Sequence, residues 1–315
     1  MNEHGLKSLF AQILTLSIIA LTVAEPTSGG KPDPLSLLRR ALNPSAAYTC
    51  KIVVTSWHSP KGDTALLREW RLPDGRYRIE YLSPQKLRGT VLLSDGKRRW
   101  RIVKGRAIWE LEVDELTPER LDLLGRNYRL TVLKPTAVLN RKAWQISVTP
   151  KVKGKPQHRF WLDAEHGITL KGEVMGEDGT PIAFMAVTEL KFLKPREIPK
   201  SLFEAPPKRL SRGESKQLTK QQAESKWEIN LPNALPFGFV LERVEEVSLP
   251  RNLSALHAVY TDGLTRLSLF ILPSNFSLSL SPSRVSMVRK RLGRQVLLLV
   301  GSIDKSLLER IVSSF

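Results

Sequence analysis

The sequence has almost no cysteine and relatively few acidic residues. Cys50 is the one cysteine among 315 residues, so an internal disulfide is impossible and burial must hold the fold together. It lies in the strand-like stretch AAYTCKIVV and is expected to be a small buried side chain. Lysine and arginine total 49 against 31 aspartates and glutamates, a formal net charge of +18. This charge favours nucleic acid, anionic membranes or acidic proteins as partners, and it does not restrict the fold.

The sequence also lacks the short motifs of the common enzyme classes. It has no G-x-S-x-G elbow, no G-x-x-x-x-G-K-[ST] phosphate loop, no G-x-G-x-x-G and no H-E-x-x-H. Its histidines are scattered, and His158 and His166 lie close to Asp163 and Glu165 without the spacing of a metal site. We therefore expect a non-enzymatic protein that has no cofactor and no metal centre.

A single long apolar run is present at residues 9–23, LFAQILTLSIIALTV. Lys7 precedes it, and small side chains at Thr22 and Ala24 fit the positions that a signal peptidase reads. Residues 1–24 are thus predicted to be a secretory signal peptide, and the mature protein to be exported to the periplasm. A retained N-terminal anchor is the alternative, although the run is short for a membrane span.

Residues 31–205 show the pattern of a large antiparallel sheet. Apolar and polar residues alternate between hairpin-like turns that contain glycine, such as Pro73-Asp74-Gly75. Strands are predicted over Ala47–Trp57, Ala65–Leu72, Tyr77–Leu82, Arg88–Leu93, Arg98–Val103, Ala107–Leu111, Tyr128–Leu133 and Arg141–Val148. Helices are predicted from Pro34 to Leu42 and from Thr117 to Leu124. The expected fold class is mainly β, of the α+β type, with a curved antiparallel sheet and covering helices.

The stretch from Lys155 to Phe203 carries a resemblance to a known group. Three extended runs are joined by Glu-His-Gly and Glu-Asp-Gly turns, with Trp-Leu-Asp before the first turn and Ile-Pro and Leu-Phe at the exit. In these motifs the sequence resembles the LolA-like half-barrels, exported bacterial proteins that hold acyl chains or lipoproteins in an apolar concavity. The hairpin LLSDGKRRWRI, which places Trp100 in its second strand, resembles the MucB/RseB branch of that group in particular.

The remainder of the chain divides into a linker and a second domain. Residues 206–226, PPKRLSRGESKQLTKQQAESK, have few large apolar side chains and predict a basic flexible linker. Residues 227–315 predict a small α+β domain. Its elements include a hairpin at Thr261-Asp262-Gly263, a helix at Ser283–Leu292, a strand at Gln295–Val300 and a last helix at Asp304–Val312. Its motifs, a Leu-Pro with a Gly-Phe nearby and then His-Ala-Val-Tyr-Thr-Asp-Gly-Leu, resemble the C-terminal domain of MucB/RseB proteins.

The resemblance implies a function as well as a fold. A protein of this kind is expected to be a periplasmic regulator that binds an anti-sigma factor in envelope stress signalling and senses lipid or acyl chains. The alternative is a periplasmic lipid or lipoprotein carrier of the LolA type, which needs the half-barrel alone. Nucleic acid is not an expected partner, because export separates the protein from it.

Two sets of residues are candidate sites. Apolar side chains in the resembling strands are predicted to line a lipid-binding cavity: Val91, Leu93, Ile182, Phe184, Ala186 and Leu190. The most basic hairpin is predicted to contact lipid phosphates or an acidic partner: Arg98, Arg99, Arg101, Lys104 and Arg106. A closed core is the alternative for the first set, and a solvated hairpin face is the alternative for the second.

Overall fold

The structure is a computed structural model, and its described residues divide into two compact units. The described ranges are 31–42, 44–57, 62–103, 107–111, 118–206, 215–249, 253–274 and 285–315. One unit, called the N-terminal unit, holds the described residues up to 111 and those from 128 to 206. The other, called the C-terminal unit, holds residues 118–127 and those from 215 onward. The predicted signal peptide, residues 1–24, lies outside the described ranges.

The N-terminal unit is built on one antiparallel sheet of twelve strands. A short helix, α1 (Pro34–Leu42), precedes it, and Asp33 caps this helix, with its Oδ2 accepting from the Ser36 backbone N–H at 2.7 Å. The strands are β1 (Tyr48–Ser56), β2 (Asp63–Arg71), β3 (Arg76–Ser83), β4 (Val91–Asp95), β5 (Arg99–Val103), β6 (Ala107–Leu111), β7 (Tyr128–Val132), β8 (Thr136–Val138), β9 (Arg141–Pro150), β10 (Gln157–Asp163), β11 (Thr169–Met175) and β12 (Pro181–Phe192).

The strand order makes this sheet an open one. Neighbouring strands run β6-β5-β4-β3-β2-β1-β12-β11-β10-β9-β7, and β8 pairs with β9. Most neighbours are consecutive in the chain because short turns join them. In the turn after β4, for example, the Asp95 carboxylate accepts from the backbone N–H groups of Lys97 and Arg98, and Gly96 has a φ of +91°. The predicted hairpins and the meander of residues 155–203 are confirmed.

The main core of this unit is one buried cluster, and its members on β1, β2 and β12 share one face of the sheet, which we call the core face. Its buried cluster is formed by Tyr48, Cys50, Ile52, Leu67, Ala143, Trp161, Ile168, Leu170 and Val187. Burying each large apolar side chain stabilises the fold by about 1.5–3 kcal/mol. Cys50 is 3% exposed and a free thiol, so it has the buried position that was expected.

The C-terminal unit is an α+β domain with its own sheet. Its elements are α2 (Pro118–Asn127), β13 (Ser215–Leu218), α3 (Lys220–Trp227), β14 (Ala234–Leu235), β15 (Phe239–Leu249), β16 (Leu253–Thr261), β17 (Arg266–Pro273), β18 (Ser286–Leu292), β19 (Gln295–Gly301) and α4 (Lys305–Val312). The strand order is β13-β15-β16-β17-β19-β18, with β14 on β15, and every pairing is antiparallel. The expected fold class, mainly β and α+β, is confirmed for the chain.

Part of the expected linker is ordered secondary structure of the C-terminal unit. Within the predicted linker, residues 206–226, β13 pairs with β15 and is followed by α3. The Thr219 hydroxyl accepts from the Gln222 backbone, and the Gln222 side chain accepts from the Thr219 backbone, which closes a capping box. Ala223 of α3 is fully buried. A flexible linker through residue 226 is therefore wrong, because the capping box and one buried face order this polar stretch.

The segment expected to form a helix at Ser283–Leu292 is a strand in its described part. Residues 286–292 form β18, which pairs with β19 in an unshifted antiparallel register. Its side chains alternate, with Met287, Arg289 and Arg291 exposed and those between them half-buried. Arginine, lysine, leucine and methionine favour helices, and here pairing with the apolar strand β19 overrides that preference.

Helix α2 lies between β6 and β7 in the chain but packs within the C-terminal unit. The Asn127 side chain donates to the backbone carbonyls of Gly238 and Asp262, at 3.0 and 2.9 Å. Gly263, in the hairpin turn after β16, has a φ of +102°, and a Cβ placed there would lie 2.4 Å from the Leu124 backbone nitrogen. Only glycine allows this turn to approach the helix so closely.

Candidate functional site

The four predicted lining residues of β12 are divided between the two faces of the sheet. Successive residues of β1 pair with Glu189 and Val187, so Thr188 is an extra residue and forms a β-bulge. Beyond the bulge, Leu190 packs against the core cluster together with Val187. Alternation from Val187 back along the strand places the remaining three on the opposite face: Ile182, Phe184 and Ala186. The four residues therefore do not line a single surface.

The two predicted lining residues of β4 lie in a closed cluster. Val91 and Leu93 are 6% and 1% exposed, and they pack with Trp100, which is fully buried. Leu92, which lies between them, pairs with Ile79, and Ile79 packs against the core cluster. Because neighbouring residues of a strand point to opposite faces, Val91 and Leu93 lie on the face opposite the core face. The structure thus places five of the six predicted residues away from the core face.

Other apolar residues form the partly exposed surface of the core face. We call them the apolar margin; they lie on β1, β2, β3 and β12, pack against the core cluster and are half-buried: Val54, Ala65, Ile79, Tyr81 and Met185. Val54 pairs with Met185 on one side and with Ala65 on the other, which makes this surface continuous across three strands. These residues are the better candidates for contact with an acyl chain. The strict alternation of RYRIEYLS in β3 was a signal that could have identified Ile79 and Tyr81.

A buried ion pair between Arg71 and Glu69 lies on the core face, with the ring of Tyr77 against the arginine. Arg71 Nε donates to Glu69 Oε1 at 2.7 Å, and each residue is 6% exposed. The guanidinium of Arg71 lies 4.9 Å from the centre of the Tyr77 ring, and that of Arg99 lies 5.6 Å from it. Cation–π contacts of this kind are strengthened by burial. Two arginines and one tyrosine therefore hold β2, β3 and β5 in register on this face.

Burial and the Glu69 carboxylate together control the ionisation of the nearby groups. Burial first, and then Glu69, raise the pKa of Tyr48 and of the Cys50 thiol well above their usual values. Burial alone would lower the pKa of Arg71, but the adjacent Glu69 raises it above its ordinary value. The thiol therefore stays protonated at neutral pH, which makes Cys50 a poor nucleophile.

The predicted basic patch is not one exposed surface. Arg98 Nη2 lies 3.2 Å from Asp95 Oδ2, within the turn that joins β4 and β5. Arg99 is 2% exposed and belongs to the core face, and Arg101 is half-buried on the same face. Lys104 and Arg106 lie outside the described residues. Arg99 and Arg101 thus share the core face, whereas Arg98 precedes β5 and lies in the turn, so the described members do not form one surface.

Arg101 lies beside the apolar margin. Arg101 pairs with Leu92, and Leu92 pairs with Ile79 of the margin, so Arg101 lies on the same face two strands away. Burial raises the pKa of Tyr81, and the Arg101 guanidinium acts in the opposite direction. The margin therefore combines apolar side chains with a cationic group at its border. That combination suits an amphiphile with an acidic head group.

The residues weighed as a metal cluster serve a turn. Asp163 accepts hydrogen bonds from the backbone N–H groups of Glu165 and His166, at 3.2 and 2.7 Å, and from Arg141 Nε at 2.6 Å. The His166 ring lies against Phe192, with centroids 4.7 Å apart. Across the described ranges, no three His, Cys, Asp or Glu side chains are grouped as metal ligands.

A buried row in the C-terminal unit joins a carboxylate, an imidazole and a hydroxyl. His257 Nδ1 lies 2.6 Å from Glu245 Oε1, and its Nε2 lies 3.1 Å from Ser268 Oγ. The ring stacks on Phe270 at 4.3 Å. Ser268 pairs with strands on both sides, so its own ladder uses the backbone N–H groups that an oxyanion hole would need. The row has the connectivity of a hydrolase triad, and its surroundings fit a structural role.

The comparisons with known proteins agree with this architecture. Residues 96–213 match the family model of the MucB/RseB N-terminal domain. A MucA/MucB complex from Pseudomonas aeruginosa aligns with a TM-score of 0.65 and 19% identity, covering 89% of this chain and 97% of that chain. A structure of MucB in complex with MucA(peri) gives 0.58 and 20%, with 89% and 97% covered. A further MucB structure gives 0.57 and 19%, with 90% and 97% covered.

No curated protein sequence matches the chain. At these identities the solved structures establish the fold, and that fold extends over both units. The resemblance to MucB/RseB proteins that the motifs suggested is confirmed by the family match and by this shared fold.

Proposed function

We propose that the protein is a non-enzymatic, exported regulator that binds an anti-sigma factor and senses lipid or acyl chains in envelope stress signalling. The observation that carries the proposal is the MucB-like fold over 89% of the chain, which includes the C-terminal unit. Two of the similar structures are complexes of MucB with MucA or its MucA(peri) portion. By analogy the partner here is the periplasmic part of an anti-sigma factor.

The C-terminal unit favours a regulator over a carrier. A LolA-type carrier needs the half-barrel alone, whereas this chain continues into a second unit with a seven-stranded sheet of its own. That unit also holds α2, although the chain on both sides of α2 belongs to the N-terminal unit. Within the described residues the chain therefore passes between the two units before α2, after α2 and again before β13.

The lipid-sensing part of the proposal depends on the core face of the N-terminal unit. The apolar margin is a half-buried surface with Arg101 in the same row as Ile79, and an acyl chain with an acidic head would find both kinds of contact there. A lipid or lipoprotein carrier would use the same surface, so this feature alone does not separate the two functions.

Export is proposed on the sequence of residues 1–24. An apolar run that ends in small residues is typical of a cleaved signal peptide. None of the helices in the described ranges has the length and apolar character of a membrane-crossing segment. N-terminal sequencing of the protein from its native envelope should find Glu25 first, and an intact Met1 would support the anchor instead.

Two binding measurements on the mature chain test the proposal. The first titrates the purified periplasmic segment of an anti-sigma factor from the same cell by calorimetry, and the second titrates a fluorescent fatty acid. A regulator that senses lipid binds both, and a carrier binds only the amphiphile. If neither ligand binds, the proposal is wrong.

Replacing Met185 by Gln places a polar group in the apolar margin, and Phe184→Gln is the matched control on the opposite face. The first change should weaken binding of the fatty acid and the second should not.

A further inference from the structure

The outer strand of the C-terminal sheet presents an unusual set of charges. Strand β18 is the last in its sheet and pairs with β19 on one side. In the described part of the chain no strand pairs with its other side. Arg289, Lys290 and Arg291 follow one another in this strand, and Arg294 lies in the turn that leads to β19. An open strand edge offers unpaired backbone N–H and C=O groups to another chain.

The two faces of β18 have different surroundings. Lys290 turns toward α4, where its Nζ lies 3.4 Å from the Val312 carbonyl oxygen. Arg289 and Arg291 point to the opposite face and are exposed. With Ser274 and Val296 they line a cavity of about 400 Å³. Two guanidinium groups therefore border a space on the side of the strand that faces away from α4.

In the part of the chain that the structure describes, no acidic neighbour neutralises either arginine. Two arginines at the start of other strands are paired with carboxylates: Arg266 with Glu242 at 2.7 Å, and Arg141 with Asp163 at 2.6 Å. Within the described ranges, Arg289 and Arg291 form no ion pair with a carboxylate. Two exposed guanidinium groups, two residues apart in the strand, are thus able to pair with carboxylates on a partner.

We propose that the open edge of β18 is a docking surface for an acidic segment in extended conformation, which adds to the sheet as a further strand. Backbone hydrogen bonds to the edge supply affinity that does not depend on sequence, and acidic side chains at alternate positions meet Arg289 and Arg291. Residues two apart in a strand share a face, so the spacing of the arginines selects carboxylates with the same spacing. The surface goes beyond the proposed function and does not depend on it, since it specifies the chemistry of a segment and not the protein that supplies it.

A basic edge also protects a sheet against edge-to-edge aggregation. That role needs positive charge and no partner. It predicts that backbone hydrogen bonds add nothing to the affinity of an acidic peptide. An anionic membrane surface is another possible source of negative charge, and it too makes no use of the strand edge. Backbone methylation of a peptide separates these cases, because it removes edge hydrogen bonds and leaves charge unchanged.

The test uses the full chain and a labelled ten-residue peptide in which Glu alternates with Val or Thr. Binding is followed by fluorescence anisotropy at low and at physiological salt. The proposal predicts saturable binding that is weakened about tenfold or more by R289E/R291E. The control K134E/K200E makes the same charge change at two exposed lysines of the N-terminal unit and should leave the affinity within about twofold. A peptide methylated on alternate backbone nitrogens should also bind about tenfold more weakly to the unchanged protein.

Several results would overturn the proposal. Equal binding of the methylated and unmethylated peptides would show that the edge is not used. Equal binding of a peptide with the same composition but all Glu residues together would show that the spacing is not read. If vesicles with phosphatidylglycerol bind and the peptide does not, the arginines serve an anionic surface instead. If the parent protein binds no peptide and R289E/R291E only self-associates, the basic edge is protective.

Discussion

Gly263→Ala should separate α2 from the hairpin turn that it contacts. A Cβ at this position would lie 2.4 Å from the Leu124 nitrogen and 2.5 Å from the Arg120 oxygen, and both are backbone atoms of α2. The helix cannot yield by rotating a side chain, so it must shift as a whole. The shift would break the two hydrogen bonds from Asn127, each worth about 1 kcal/mol. A positive φ costs alanine about 1–2 kcal/mol more, so the expected loss is about 3–4 kcal/mol.

Gly179→Ala is the matched control for this change. Gly179 has a φ of +79°, and a Cβ there would meet nothing within 4 Å. Gly179→Ala should therefore lose only the stability that a positive φ costs alanine. Urea denaturation of the parent and both variants, followed by tryptophan fluorescence, measures the two losses. Asn127→Ala should cost about 2 kcal/mol in the parent and much less in the Gly263→Ala background. Equal losses for the two glycine variants would refute the contact between α2 and the turn.

Three further predictions concern single side chains. Glu69→Gln removes the charged partner of buried Arg71 and should cost about 3–5 kcal/mol in the free energy of unfolding. The double change Glu69→Leu with Arg71→Met should recover much of that loss. Equal losses for the single and the double change would contradict the pairing. Because burial raises the pKa of the Cys50 thiol in the folded state, its contribution is fully present below the usual thiol pKa of about 8.5 and is lost as pH rises above it. Cys50→Ala should therefore lose less stability than the parent between pH 8 and pH 10, and identical pH profiles would contradict this. Thr219→Ala removes the cap of α3 and should cost about 1 kcal/mol, measured by urea denaturation against Ser274→Ala, a control at an exposed serine outside helices.

The strands and turns of the N-terminal unit were largely readable from the sequence. Period-two alternation interrupted by Asp-Gly turns is a local signal, and it gave most strands within a few residues of their observed ends. The same alternation misled the choice of lining residues on β12. One extra residue at Thr188 shifts the phase of the strand, and a bulge of this kind has no clear sequence signature.

The incorrect sequence-based predictions for the C-terminal unit have a different origin. In β18 the local preference for helix conflicts with pairing to β19, and a pairing partner distant in space cannot be read from composition. The capping box of Thr219 and Gln222 was visible in the sequence but was outweighed by the polar composition around it. The packing of α2 within the C-terminal unit depends on contacts with Gly238 and Gly263, more than a hundred positions along the chain. No local pattern encodes such contacts.

If one chain both binds an anti-sigma factor and senses lipid, the affinities for the two ligands must be linked, and that linkage tests the proposed function most directly. The affinity of the mature protein for the periplasmic segment of the anti-sigma factor is measured by calorimetry without amphiphile and then with a saturating fatty acid. Lipid sensing predicts a change in Kd of about 5- to 150-fold, the usual range of coupling between two sites. The reciprocal titration must give the same factor, because binding linkage is symmetric. Tight binding of the segment with an unchanged Kd would contradict lipid sensing, and no binding of the segment under either condition would contradict the regulator itself.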